Sequence, residues 1–203
     1  MTHKIAVADY GSGNLHSVSR AITHVGGRAL VTSDADEISR ADALLIPGVG
    51  HFGACVRAIR ERGLHTAIEA FRMTGRAIFG VCVGMQVLFE SSDEDAEPGL
   101  GLFPGRVARL TGDEKVKVPH MGWNTATWVE PHPFLEGLPD GTRFYFVHSY
   151  APPPTTTTVA TSMHGATFAA AAARDNVFAT QFHPEKSSEA GLHVYERFVR
   201  SLA

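Results

Sequence analysis

The residues that first suggest chemistry in this chain are a cysteine and the glycines around it. Cys82 lies in the segment 80–84 (Gly-Val-Cys-Val-Gly), after the apolar run 77–79 and before residues 85–90, which predict a helix. Glycines on both sides of a nucleophile are typical of a nucleophile elbow, a sharp strand-turn-helix junction at which larger neighbours would collide. A helix beginning at Cys82 would favour the thiolate, the reactive form. We therefore predict an enzyme that attacks a carbonyl group.

A second segment, His183-Pro184-Glu185, supplies a candidate base and its partner. Pro184 biases His183 toward extended backbone, in which residues two apart project to the same face. A carboxylate beside the imidazole would hold the ring in the tautomer that accepts a proton from a thiol. The sequence thus predicts that the fold brings Cys82, His183 and Glu185 together.

Length and composition indicate one globular domain. The chain has 203 residues, of which 44% are hydrophobic and 19% charged, and its net charge of −3 gives no reason to expect a nucleic-acid partner. The two cysteines, Cys55 and Cys82, argue against a disulfide framework and fit a reducing compartment. Residues 1–9 are too short in apolar length for a signal peptide, and no apolar run of about 18 residues occurs. We expect a cytoplasmic protein that does not bind membranes.

The first half alternates strands and helices, which predicts an α/β fold with a mostly parallel central sheet and flanking helices. Residues 91–99, with Asp93, Glu94, Asp95 and Glu97, are expected to form a solvated acidic loop. The predicted strands cover residues 5–8, 28–31, 43–46 and 77–81, and the predicted helices cover residues 15–25 and 52–73, the latter with a break at Gly63.

The second half is expected to add shorter, antiparallel strands. Residues 168–174 contain five alanines, so local propensity favours a helix, but their place between two strand-like pieces favours a strand. The proline- and threonine-rich stretch 152–158 is interpreted as a surface connection. Other expected strands lie around Val107, 116–118, 144–147 and 177–182, and the last helix covers 188–202.

Residues 46–50 (Ile-Pro-Gly-Val-Gly) end a strand at the sheet edge where the elbow should lie. Ligands of α/β sheets gather at the carboxyl ends of strands. The amide of Val49 or Gly50 could therefore join the amide of Val83 in an oxyanion hole. The alternative is an ordinary strand-ending turn.

Other motifs are interpreted as structural. Gly11-Ser12-Gly13 resembles the opening of a dinucleotide fingerprint, but His16 occupies the third glycine position, so we reject nucleotide binding. Cys55 is expected to be a small core residue. No zinc-type ligand spacing involves the histidines His120, His132, His148, His164 and His193, so no metal is expected.

Residues 120–124 (His-Met-Gly-Trp-Asn) place a large aromatic between polar groups in an expected loop. Trp123 would be either a buried core residue or, with Met121, part of an exposed partner surface.

Taken together, these segments resemble the class I glutamine amidotransferases. Segments 80–86 and 181–187 (Gln-Phe-His-Pro-Glu-Lys-Ser) resemble the triad of that family. Segments 9–15, 47–50, 119–124 and 146–150 resemble the member that supplies ammonia to a cyclase of histidine biosynthesis. The similarity runs essentially end to end, and 120–124 is its most member-specific part. Residues 1–203 would then form one type 1 amidotransferase domain.

The resemblance implies an activity and residues for it. Cys82 would attack the side-chain amide of glutamine, His183 would pass its proton to the departing ammonia, and Glu185 would orient His183. No cofactor is implied. The implied oxyanion hole consists of Val49, Gly50 and Val83, and the implied glutamine-binding residues are Gly48, Gly50, Gln86, Ser149 and Tyr150.

The resemblance also implies a partner, a (β/α)8-barrel cyclase subunit joined in a heterodimer. Ammonia would pass to it through a tunnel, because free ammonia near neutral pH is mostly protonated and not nucleophilic. The cyclase would form imidazole glycerol phosphate and an aminoimidazole carboxamide ribotide. The implied interface residues are Pro119, His120, Met121, Gly122, Trp123 and Asn124.

Two positions depart from the family pattern, and other functions stay open. Residues 151–154 (Ala-Pro-Pro-Pro) replace a more aromatic and polar continuation, and His51, where a small residue is expected, could crowd or polarise the pocket mouth. The chain could serve another acceptor, such as those of the purine, anthranilate or pyridoxal phosphate pathways, could hydrolyse peptide or γ-glutamyl substrates, or could be an idle scaffold. The intact Cys82, His183 and Glu185 argue against the scaffold.

Overall fold

The parallel strands of the first half form one side of a central sheet. The computed structural model describes residues 2–112, 114 and 116–202. The sheet pairs β1 (Lys4–Ala8), β2 (Arg28–Thr32), β3 (Ala43–Gly48) and β4 (Ile78–Cys82) in the order β2-β1-β3-β4, all parallel. Both faces of β1, β3 and β4 are almost wholly buried, as expected for parallel strands covered by helices on both sides.

Strands from the second half complete the sheet, which has eight strands within the described residues. The last strand along the chain pairs parallel with β4, and the remaining pairs are antiparallel. The order continues from β4 through β13 (Val177–Thr180), β12 (Ala166–Arg174), β11 (Thr158–His164) and β8 (Thr127–Trp128). The expected α/β fold with antiparallel strands in its second half is confirmed.

Helices cover the sheet, and two smaller sheets carry the loops around its carboxyl edge. The smaller sheets join β10 (Tyr150–Ala151), β6 (Phe103–Arg109) and β5 (Phe89–Ser92), and pair β7 (His120–Thr125) with β9 (Arg143–His148). The helices are α1 (Leu15–His24), α2 (Ala35–Ser39), α3 (Phe52–Glu61), α4 (Leu64–Met73), α5 (Val83–Gln86) and α6 (Ser188–Arg200), with a 3-10 turn at Pro184–Lys186.

An aromatic cluster anchors α6 to the sheet directly beneath the elbow. The ring of Phe79 on β4 lies 5.2 Å from that of Phe178, 5.3 Å from that of Phe198 and 5.6 Å from that of Tyr195. All four side chains are buried. Edge-on and tilted ring contacts of this kind stabilise a core beyond their buried area. The cluster therefore holds the strand that ends in Cys82 against the helix that follows Glu185.

Most of the expected elements are confirmed within a few residues, including the break at Gly63, which lies between α3 and α4. The alanine-rich stretch 168–174 is part of β12. It is paired on both sides, with β11 and β13, and most of its residues are buried, so sheet packing overrides its helical propensity.

Several local expectations are wrong. The helix expected over 85–90 ends at Gln86, because Phe89 begins β5 and pairs with Phe103 in the core. Residues 116–118 form no strand, and 120–124 form strand β7 instead of a loop. The stretch 152–158 is not simply a surface connection: Pro152, Thr157 and Thr158 are buried, and Thr158 begins β11.

No helix in the described part of the chain combines the length and apolar character needed to cross a bilayer. The two ends of the expected domain 1–203, Met1 and Ala203, lie outside the described residues.

Candidate active site

Cys82 lies at a strained junction between β4 and α5. Its backbone has φ +55°, a conformation that non-glycine residues rarely adopt. The glycines beside it permit close packing of neighbouring backbone. A Cβ on Gly84 would lie 1.9 Å from the carbonyl oxygen of Ile46 on β3, and one on Gly80 would lie 2.9 Å from the carbonyl oxygen of Gly84 on α5. The segment therefore forms the expected elbow. Because α5 has only four residues, its dipole is small, and charged side chains must contribute more to thiolate stability than expected.

His183 and Glu185 form a buried pair in the same site. The His183 Nδ1 lies 2.8 Å from a Glu185 carboxylate oxygen, and their side chains are 2% and 1% exposed. His183 is extended, as expected, but Glu185 lies in the 3-10 turn Pro184–Lys186. The side chains thus meet across a turn and not along one face of an extended segment. Since Nδ1 faces Glu185, Nε2, which is buried without a well-formed hydrogen bond, is the ring nitrogen left for proton exchange.

The environment of His183 favours its charged form. Burial alone would lower the pKa of the imidazole, but the Cys82 sulfur and the Glu185 carboxylate act in the opposite direction and together raise this pKa to about 10. The ring is therefore cationic at neutral pH and interacts with the Cys82 sulfur. A thiolate beside an imidazolium is the resting state of an activated cysteine nucleophile.

A cavity of about 370 Å³ opens over Cys82 and His183. It is lined by Val49, Gly50, Cys82, Val83, Gln86, Glu94, Pro119, Val147, His148, Ser149, Tyr150, His183 and Lys186. A larger surface cavity of about 620 Å³ is formed by residues 128–133 and 135–138 and contains neither Cys82 nor His183. The smaller cavity is therefore the candidate active site, because Cys82 and His183 line it.

The catalytic, oxyanion-hole and glutamine-binding residues expected from the sequence line this cavity, except Gly48 and Glu185. Of the expected interface residues 119–124, Pro119 alone belongs to the lining. Gly48 is buried beside α5, where a Cβ would lie 2.3 Å from the Gly84 nitrogen, so it permits close packing and is not part of the lining. His51 does not crowd the mouth: it is exposed, outside the lining, and its Nδ1 lies 3.7 Å from the Asp95 carboxylate.

The orientation of the Val49–Gly50 peptide is set from outside the cavity. The Val49 carbonyl accepts hydrogen bonds from the Ser12 hydroxyl at 2.6 Å and from the Cys55 thiol at 3.5 Å. Because a trans peptide directs its N–H opposite to its C=O, the Gly50 N–H points away from these two side chains. Ser12 and Cys55 thus orient one of the amides expected in the oxyanion hole.

Glu94 is a cavity residue that the sequence interpretation missed. Its acidic segment is not simply solvated, because it packs against α3: the Glu94 carboxylate accepts the Phe52 N–H at 2.7 Å, Asp95 pairs with Arg57 at 3.2 Å, and Glu97 pairs with Arg60. Nothing in the charge pattern distinguishes Glu94 from its acidic neighbours, so only the fold identifies it.

Gln181 is the second missed residue. Its side-chain nitrogen lies 3.8 Å from the Cys82 sulfur, and its oxygen accepts a hydrogen bond from Gln86 at 3.0 Å. Gln181 lies two residues before His183, and this spacing is the one signal in the sequence that could have indicated it.

The exposed side of β7 borders the cavity. Residues of β7 alternate, so that His120 and Asn124 point inward while Met121 and Trp123 are 64% and 46% exposed. Met121 is paired with Val147, which lines the cavity. Trp123 is therefore not the buried core residue of the first alternative, and its part in a partner surface stays a prediction.

Among the residues that the structure describes, no group of three or more His, Cys, Asp or Glu side chains is placed to hold a metal ion.

Comparisons with known proteins identify relatives over nearly the whole chain. Residues 6–202 match the family model "Glutamine amidotransferase class-I". The chain is 44% identical over 206 residues to "Imidazole glycerol phosphate synthase subunit HisH" of Aromatoleum aromaticum, covering 96% of this chain and 97% of the relative. It is 46% identical over 200 residues to the protein of the same name from Thermosynechococcus vestitus, covering 96% and 95%.

Solved structures with the same fold are more distant in sequence. "Structure of PurLQS from Thermotoga maritima" aligns with a TM-score of 0.76 and 19% identity over all of both chains. The Trypanosoma brucei CTPS glutaminase domain with bound acivicin aligns with a TM-score of 0.71 and 18% identity, covering 99% of this chain and 94% of that one. At such identities the likeness describes the fold.

The charge on His183 gives a testable prediction. Cys82→Ala should lower the pKa of His183 well below about 10, because it removes the leading interaction that raises this pKa; Glu185→Gln should lower it less. NMR titration of the imidazole resonances measures both. His132, whose pKa burial lowers to about 4, serves as the internal control and should not change. A His183 pKa that stays near 10 in Cys82→Ala would contradict the ion pair.

Proposed function

We propose that this chain, which belongs to the class I glutamine amidotransferase family, is the glutaminase subunit of an imidazole glycerol phosphate synthase. It would be active in histidine biosynthesis. The observation that carries the proposal is the buried pair of His183 and Glu185, in which His183 lines the same cavity as Cys82. The names of relatives 44–46% identical along the whole chain support the choice of synthase.

The chemistry begins with the thiolate of Cys82. Its sulfur attacks the side-chain amide carbon of glutamine, and the carbonyl oxygen becomes an oxyanion, for which the amides of Val49 or Gly50 and Val83 would be donors. Collapse of this intermediate breaks the C–N bond, and the imidazolium of His183 gives its proton to the departing ammonia. A thioester remains on Cys82.

Water completes the cycle. His183, now neutral, takes a proton from a water molecule that attacks the thioester, and glutamate leaves as the thiolate and imidazolium are restored. Glu185 holds the ring through Nδ1 in both steps, so that Nε2 stays directed at the reaction.

The cavity lining suits glutamine. Gln86, Ser149, Tyr150 and Gly50 are the substrate-binding residues that we retain. Both amide hydrogens of Gln86 are engaged, by the Tyr150 carbonyl at 2.8 Å and by Gln181 at 3.0 Å, so its own carbonyl is free to accept from substrate. Glu94 is the acidic side chain of the lining, and we assign it to the α-ammonium group.

The product ammonia would pass to a cyclase subunit, a (β/α)8 barrel in a heterodimer within the cytoplasm. We place the interface on residues 119–124, with exposed Met121 and Trp123 as anchors beside the cavity mouth. Covering the mouth would exclude water and keep ammonia unprotonated until it reaches the acceptor. Within residues 119–124 only the outward side chains would make contact, because His120 is buried.

The nucleophile is tested by Cys82→Ala in the chain reconstituted with the cyclase. Glutamine-dependent formation of imidazole glycerol phosphate should fall at least about a thousandfold, because no thioester can form. Formation from supplied ammonium salt should persist, which shows that the complex is intact. Continued use of glutamine by this variant would refute the mechanism.

Glu94→Gln tests substrate recognition. The amide retains an acceptor for the Phe52 N–H but removes the negative charge, so KM for glutamine should rise about tenfold or more while kcat changes little. Steady-state glutaminase assays in the complex measure both constants. The control is Glu97→Gln, in the same acidic segment but outside the cavity lining. Equal KM values in the two variants would remove Glu94 from the recognition site.

Trp123→Ala tests the partner surface. Loss of a central aromatic anchor should weaken binding to the cyclase by about 2 kcal/mol, or about 30-fold in Kd. Isothermal titration calorimetry measures this, with Met73→Ala as control, since Met73 is an even more exposed apolar residue on α4. An unchanged Kd would place the interface elsewhere.

A further inference from the structure

The carbonyl of Tyr150 fixes the direction of a chain of side-chain hydrogen bonds. It accepts from the Gln86 side-chain nitrogen at 2.8 Å and contacts the His148 Nδ1 at 2.9 Å. A carbonyl oxygen can only accept, so both neighbours must donate. The side-chain amide of Gln86 therefore has one permitted orientation, and the neutral ring of His148 carries its proton on Nδ1.

Toward Cys82, the chain of hydrogen bonds continues through the side-chain amides of Gln86 and Gln181. The Gln86 nitrogen also lies 3.0 Å from the Gln181 oxygen, which must accept. The Gln181 nitrogen is then the atom that faces the Cys82 sulfur, at 3.8 Å. Gln181 is fully buried, so no water competes for this N–H. The chain thus directs an amide hydrogen at the sulfur.

Away from Cys82, the chain of hydrogen bonds continues through His148 and His120. Since His148 donates from Nδ1, its neutral ring accepts at Nε2 from the His120 Nδ1, 3.0 Å away. The His120 Nε2 then accepts from the side-chain nitrogen of Asn124 at 3.2 Å. Burial keeps both rings neutral, lowering the pKa of His120 to about 4 and that of His148 to about 3.

The outer end of the chain is oriented independently of the inner end. The Asn124 oxygen accepts the Thr125 N–H at 2.8 Å, and its nitrogen donates to the Met163 carbonyl at 2.8 Å. This orientation leaves nitrogen for His120, as the Tyr150 carbonyl requires. The Tyr150 carbonyl alone orients the inner amides. A flipped Gln86 would set its oxygen against that carbonyl, and a flipped Gln181 would set its nitrogen against the Gln86 nitrogen.

We propose that Gln181 is a further residue of the catalytic site, whose amide N–H donates to the Cys82 thiolate, stabilises its charge and holds the sulfur in position. This inference rests on the proposed function, in which Cys82 is the nucleophile, and adds a donor to it. A hydrogen bond to the charged form of a group favours that form. An uncharged amide does so without competing with His183 for the proton.

Other ionisable groups also act on Cys82, and the test must hold them constant. His183 faces the sulfur from the segment after β13, Tyr10 and Cys55 interact with it electrostatically from the β1–α1 turn and from α3, and Glu94, His148 and Lys186 line the same cavity. None of these is changed by substitution at Gln181. A difference between wild type and a Gln181 variant therefore reports the amide.

The experiment measures the rate of Cys82 alkylation by iodoacetamide against pH, in the purified chain without glutamine. Gln181→Met keeps the volume and removes the donor, and should move the midpoint of this profile up by about one pH unit. Gln181→Glu keeps the acceptor for Gln86 but sets a negative oxygen against the sulfur, and should move it further. The midpoint belongs to the Cys82–His183 pair, so only differences are compared.

Thr180→Val is the matched control. Thr180 is fully buried two positions before Phe182, whose carbonyl accepts its hydroxyl at 3.0 Å, so the variant loses a buried hydrogen bond next to Gln181 but no donor to Cys82. Its midpoint should equal that of wild type. An unshifted midpoint in Gln181→Met, or in Gln181→Glu if the first variant does not fold, overturns the proposal, as does an equal shift in Thr180→Val. Alkylation needs no glutamine turnover, so these outcomes are independent of the Cys82→Ala result.

Discussion

The site depends on one buried contact between charged groups, that of the His183 imidazole with the Glu185 carboxylate. Burying an unpaired ion costs several kcal/mol, so neither side chain could stay charged here without the other and the nearby sulfur. The pair also commits Nδ1, which leaves a single nitrogen for the reaction. The cavity, the strained elbow and the 3-10 turn are useful only insofar as they keep these three groups at close range.

Tight backbone packing brings the groups to that range. The first turn of α5 lies against the end of β3 so closely that the Gly84 position has no room for a side chain. From the other direction, Phe79 holds β4 against α6, and the Ser187 hydroxyl at the start of α6 donates to the His183 carbonyl at 2.7 Å. The nucleophile and the imidazole thus reach the same place from two well-packed elements, which reduces the motion that catalysis must tolerate.

The sequence predicted the parts whose signal is local and missed those that depend on packing. The glycines around Cys82 and the His-Pro-Glu segment indicated the candidate catalytic residues, because the steric limits of a sharp turn restrict the types of the neighbouring residues. The predicted length of α5 was wrong because Phe89 pairs with Phe103 in another strand, and the local hydrophobic pattern does not show such a long-range pairing. Glu94 and Gln181 were missed because their neighbours come from distant segments, and the β7 strand was missed because its partner β9 follows about twenty residues later.

The alternation of β7 has a consequence for how this segment can vary. Its outward residues, Met121 and Trp123, are exposed, while its inward residues, His120 and Asn124, belong to the chain of hydrogen bonds that leads to the cavity wall. In the proposed complex, neighbouring positions would therefore meet different requirements. Met121 and Trp123 would have to fit the partner subunit, whereas His120 and Asn124 have to keep the internal hydrogen bonds intact. An insertion of a single residue would exchange the two sets and disable both at once.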